Sequence, residues 1–221
     1  MLRPDLPGHG RTPLDAAEEV SYAGWTAWLD KYLREARVAG PGIVVGYSLG
    51  GRLALALAAQ YPERVAGLAL LSAHPGLTDP RARAHRAALD DRRARDLRHR
   101  GLRAFLEDWY AQPLFALRWR PRARAALVER RARQDARAMA VVLAGMSPGR
   151  QPPLWDVLTR WAPRMAYGAG ARDTKYTALA RVLRVTNPPL MRVAIFPNAG
   201  HLLPHDAPQT LARFLRGAFA P

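Results

Sequence analysis

Ile43-Val44-Val45-Gly46-Tyr47-Ser48-Leu49-Gly50-Gly51-Arg52 decides the architecture. A β-branched run ends on Gly-x-Ser-x-Gly and passes at once into the apolar helical stretch Leu53, Leu55, Leu57, so Ser48 stands on a sharp strand-to-helix turn. Such a turn holds the serine at strained dihedrals, and glycine at 46 and 50 removes the Cβ atoms that would collide where the two backbones cross. The Leu49 N–H and the positive end of the helix dipole then face any oxyanion that forms near Ser48.

Upstream, Gly40-Pro41-Gly42 closes a helix whose apolar positions Trp25, Trp28, Leu29, Tyr32, Leu33 and Ala36 follow the helical period, with Ser21 as its cap. Before it, Asp5-Leu6-Pro7-Gly8-His9-Gly10 reads as a loop. Downstream of the helix at 49–60, Pro62-Glu63-Arg64 turns the chain into the apolar run Val65 to Ser72, suited to a strand covered on both faces. Strand, helix and strand at this spacing make a parallel crossover. About ninety residues of helical character follow: 80–100, a segment with Leu102, Phe105, Leu106 and Trp109 on one face, and a single helix over 122–146. Strands are predicted again at 164–167 and 192–196, helices around 176–185 and 207–218. The expected fold class is α/β: a mostly parallel sheet with helices on both faces and an inserted helical cap. Residues 1–77 and 158–221 form its core, and 78–157 the cap.

Composition narrows the function. The formal charge of +16 is the excess of 34 Lys and Arg over 18 Asp and Glu, and only Lys31 and Lys175 are lysine. The arginines are scattered among Asp, Glu and Ala with no interleaved aromatic platform, which argues against a nucleic-acid partner and for a small anionic substrate. The absence of cysteine excludes disulfides and thiolate metal sites. No metal-ligand cluster or cofactor motif is present. No apolar run nears the ~20 residues that span a bilayer, and Met1-Leu2-Arg3-Pro4-Asp5 is no signal peptide, so the cytoplasm is the expected location.

A serine hydroxyl needs a histidine to take its proton, and the imidazole needs a carboxylate to fix its tautomer. His201 follows the last strand directly, and Asp173 follows the preceding strand across a Gly-Ala-Gly turn. These two fit the order serine, acid, histidine, with His205 and Asp206 as competitors. Arg52 falls one turn after Ser48 on an otherwise apolar helix, where a guanidinium can clamp a carboxylate through two parallel hydrogen bonds.

Beyond these residues, the chain resembles the 2-succinyl-6-hydroxy-2,4-cyclohexadiene-1-carboxylate synthases, α/β-hydrolase-fold lyases of menaquinone biosynthesis. The resemblance runs from Asp5-Leu6-Pro7-Gly8-His9-Gly10 through the Ser48 elbow, Ser72-Ala73-His74-Pro75-Gly76-Leu77, Phe105 to Phe115, Gln151-Pro152-Pro153-Leu154-Trp155 and Asp173-Thr174-Lys175-Tyr176 to Ala199-Gly200-His201. It implies a triad of Ser48, Asp173 and His201, with Leu49 as oxyanion donor. It also implies a polycarboxylate substrate held by Arg52, Arg86, Arg131 and Lys175, with Tyr47 and Trp109 lining the pocket; Arg130 and Arg133 adjoin Arg131 and leave that choice open. The implied reaction removes a ring proton, with Ser48 as base, and expels pyruvate without an acyl-enzyme. An esterase or C–C hydrolase, or an inactive remnant that binds an anion, are the alternatives. Family members carry strands and a His-Gly-Phe-like oxyanion loop ahead of the Asp5 loop. The resemblance therefore implies that these 221 residues lack them, leave the edge of the Ser48 strand unpaired, and are poorly soluble and inactive by themselves.

Overall fold

Successive side chains along a strand point to opposite faces, so a strand apolar at every position needs cover on both sides. The computed structural model describes residues 1–15, 19–115, 121–160, 164–186 and 191–220. In it, β1 (Gly42–Tyr47), β2 (Val65–Leu71), β3 (Arg164–Gly170) and β4 (Met191–Phe196) form one parallel sheet in that spatial order. Leu68 and Leu70 of β2 and Met165, Tyr167 and Ala169 of β3 pack with Leu55 and Leu57 of α2 (Leu49–Gln60) and with Leu179 and Leu183 of α8 (Thr174–Thr186). The intervening Ala69 and Ala166 turn the other way, to Ala218 and Phe214 of α10 (Pro208–Phe219). A fully buried leucine contributes about 1.5–3 kcal/mol by leaving water, so this two-sided core outweighs helix propensity in holding α2 and α8.

Parallel strands end on the same side. Tyr47 pairs with Leu71, Leu71 with Gly168, and Gly170 with Phe196. The segments that follow the four strands therefore collect along one edge of the sheet. Among the described residues β1 pairs with β2 alone, and its Ile43 and Val45 are about half-exposed.

The chain divides into two compact units: Thr26–Gly76 with Pro152–Pro221 carries the sheet, and Met1–Trp25 with Leu77–Gln151 is mainly helical. Helix α1 (Tyr22–Glu35) begins in the helical unit and continues in the sheet unit, and Ser21 Oγ accepts the Gly24 N–H at its start. In the helical unit, α3 (Pro80–Arg100) and α4 (Leu102–Ala111) meet at Gly101. The helix expected over 122–146 is two, α5 (Pro121–Arg131) and α6 (Ala136–Gly145). The break is made by Asp135, whose carboxylate accepts the Arg137 and Ala138 N–H groups as an N-cap. The first 25 residues group with this unit, since Gly10 N donates to Gln134 and Tyr22 Oη to the Met146 carbonyl. Two short helices, α7 (Trp155–Arg160) and α9 (Leu203–Asp206), were not expected. No helix among the described residues is long and apolar enough to cross a membrane.

Ser72, just past β2, is fully buried at φ 46°, and its Oγ has no partner among the described residues. A left-handed conformation suits glycine, and an unsatisfied hydroxyl costs free energy. Ser72→Gly is therefore expected to stabilise the fold by about 1 kcal/mol, read as a higher urea midpoint at unchanged slope.

Candidate active site

The strand-to-helix turn is drawn as tightly as the glycines imply. Ser48 has φ 49° and ψ −110°, and a Cβ at Gly46 would lie 2.2 Å from the Gly50 carbonyl oxygen. The turn is pinned to the sheet by the Ser48 N–H, which donates to the Leu71 carbonyl at 2.8 Å. Leu49 opens α2, so its N–H has no acceptor within the helix.

The loops after β3 and β4 bring the other two groups to Ser48. His201 Nε2 lies 3.1 Å from Ser48 Oγ, and His201 Nδ1 lies 2.7 Å from Asp173 Oδ2. Asp173 and His201 are each 3% exposed, so this contact lies away from bulk water. The second Asp173 oxygen accepts the Tyr176 N–H at 3.3 Å, which anchors the carboxylate at the start of α8. The loops are latched together by the Arg172 N–H on the Ala199 carbonyl. Asp206 accepts the Gly200 N–H at 2.8 Å and so braces the loop ahead of His201, while His205 is exposed on α9. Tyr47 and Tyr176 lie against the imidazole, with ring centroids 5.5 and 5.0 Å away.

Arg52 sits one turn beyond Ser48, its N–H on the Ser48 carbonyl, and Lys175 Nζ lies 5.4 Å over the Tyr176 ring. Both cations act on His74, which follows β2. Burial, aided by Lys175 and Arg52, pushes this imidazole down to about 4. The native protein thus resists a proton that the unfolded chain takes up near pH 6.5. Stability is full above that value and falls as the pH drops toward 4. The urea midpoint is expected to fall over this range, and less steeply in His74→Gln.

Within the helical unit, Arg86 Nε donates to Asp90, a carboxylate 1% exposed that also receives Arg93 and Ser147. Trp109 lies between Phe105 and Phe115 with the Arg93 guanidinium 5.3 Å over its ring. Arg131 lies 5.8 Å over Tyr110, Arg130 is exposed, and Arg133 lines an open cleft of about 600 Å³ with Arg11 and Arg137. The described residues hold no group of three or more His, Asp or Glu able to bind a metal.

Sequence reasoning assigned no role to Tyr176 or His74. Tyr176 was findable, three residues after Asp173 at a helix start; His74 depends on neighbours distant in sequence.

The model of the Alpha/beta hydrolase family matches residues 1–214. The 2-succinyl-6-hydroxy-2,4-cyclohexadiene-1-carboxylate synthase of Salmonella paratyphi A is 36% identical over 96% of this chain and 82% of its own length. Protein PHYLLO of Arabidopsis thaliana is 32% identical over 96% of this chain, which spans 13% of that protein. Among solved structures, MenH from S. aureus superposes with a TM-score of 0.88 at 26% identity, over 96% of this chain and 80% of that one. A thermophilic esterase from Thermogutta terrifontis shares the fold, with a TM-score of 0.77 at 23% identity over 97% and 79% of the two chains. The chain belongs to the alpha/beta hydrolase family and, within it, to the 2-succinyl-6-hydroxy-2,4-cyclohexadiene-1-carboxylate synthases.

Proposed function

We propose that the chain is a carbon–oxygen lyase that eliminates pyruvate from 2-succinyl-5-enolpyruvyl-6-hydroxy-3-cyclohexene-1-carboxylate in menaquinone biosynthesis, and that it acts in the cytoplasm. The observation that carries this reading is the Ser48–His201–Asp173 relay, its histidine and aspartate buried, with Arg52 one helical turn from the serine. His201 takes the Ser48 proton, and Asp173 steadies the imidazolium. The serine oxygen then removes a ring C–H proton, the electron pair forms a ring double bond, and the C–O bond to the enolpyruvyl group breaks. The departing enolate takes back a proton and tautomerises to pyruvate. Arg52 and Lys175 hold substrate carboxylates, Tyr47 lines the ring, and the Leu49 N–H faces developing negative charge.

The test is pyruvate release from that substrate, beside hydrolysis of simple aryl esters. It is run on the 221-residue chain. Pyruvate release with negligible esterase turnover supports the reading. Esterase turnover without pyruvate would sink it.

A further inference from the structure

His74 belongs to a motif that the reaction above leaves unused, and its surroundings are specific. It stands on a segment fixed from three sides: Tyr167 Oη donates to the Ala73 carbonyl at 3.2 Å, the Leu154 N–H to the Pro75 carbonyl at 2.7 Å, and Trp155 Nε1 to the Gly76 carbonyl at 2.9 Å. The Trp155 ring meets the imidazole edge-on, with centroids 5.7 Å apart. A backbone donor sets the tautomer: the Gly76 N–H points at His74 Nδ1 at 3.1 Å, so Nδ1 is the acceptor and Nε2 carries the hydrogen. The first turn of α2 abuts this segment, since a Cβ at Gly51 would lie 2.5 Å from Ala73 Cβ, and Arg52 is the next residue.

From this geometry we propose that His74 is a further substrate-binding residue, whose neutral Nε2–H donates to a substrate carboxylate shared with Arg52 and Lys175. A carboxylate offers about four lone-pair sites, more than one guanidinium fork fills. A third cation beside Arg52 and Lys175 would be repelled by both, whereas an uncharged donor adds a hydrogen bond without that repulsion. The low proton affinity of His74, which follows from burial and from these same two cations, keeps it in that form at neutral pH. The assignment rests on the proposed reading of the site as one for a polycarboxylate.

Two substitutions and two readouts test it. His74→Gln keeps an N–H donor near the Nε2 position, and His74→Leu keeps bulk but removes the donor. A hydrogen bond to a charged group is worth about a 10- to 100-fold change in binding, so His74→Leu is expected to raise KM for pyruvate release by that factor at nearly unchanged kcat, with His74→Gln recovering most of it. The second readout is calorimetric titration with phthalate, a non-reacting ring dicarboxylate. It is expected to weaken in His74→Leu and recover in His74→Gln even if the pyruvate assay shows that the proposed reaction is wrong. Equal phthalate affinity in all three proteins, or no binding to the unsubstituted one, overturns the assignment, as does a lowered melting temperature in both variants with KM unmoved.

Discussion

Ser48→Ala, His201→Ala and Asp173→Asn are each expected to lower kcat by about 10³- to 10⁶-fold, with the native fold retained. The three groups form one relay, 3.1 Å from Ser48 Oγ to His201 Nε2 and 2.7 Å from Nδ1 to Asp173. Removing any one leaves the other two with no proton path, so a double variant is expected to be hardly slower than its worse single parent. Asparagine suits position 173 because that side chain also receives the Tyr176 N–H at the start of α8. An amide keeps this cap while donating nothing useful to the imidazole, and the activity loss then stands apart from any loss of stability. Steady-state pyruvate release and urea unfolding measure the two. A mild Asp173→Asn beside a severe Asp206→Asn would move the acid to Asp206, which in the structure braces the Gly200 N–H instead.

Arg52→Ala is expected to cost about 2–5 kcal/mol of transition-state stabilisation, roughly a 30-fold to few-thousand-fold fall in kcat/KM. Arg52 stands one turn from Ser48 on a helix whose remaining positions from Leu53 to Ala58 are buried and apolar. Truncation leaves a substrate carboxylate without its bidentate partner, whereas Arg52→Lys restores charge but not the fork and is expected to recover only part of the loss. Unchanged kcat/KM in Arg52→Ala would take the residue out of the site.

Local chemistry was the legible part of this chain. The Ser48 turn is written in adjacent residues: the β-branched run before it, glycines where backbones cross, and leucines after it. Asp173 and His201 could be found because parallel strands deliver their following loops to one edge, so position after a strand stands in for position in space. The break between α5 and α6 was written as well, in Asp135, but an Arg- and Ala-rich run masks a single capping residue. Less could be read where distant segments decide. Nothing in residues 1–25 signals that they group with the helical unit, because the Gln134 and Met146 contacts lie more than a hundred residues away. The state of His74 is of the same kind: it follows from Gly76, Trp155, Arg52 and Lys175, which only the fold assembles.

The central claim is that Ser48 serves as a base and is never acylated. Intact-protein mass spectrometry on samples quenched during turnover, with pyruvate measured in the same samples, tests it most directly. The account predicts steady pyruvate formation with the protein at its unmodified mass throughout, and no pyruvate from Ser48→Ala. A mass increase that maps to Ser48 and decays at the rate of product release would contradict it.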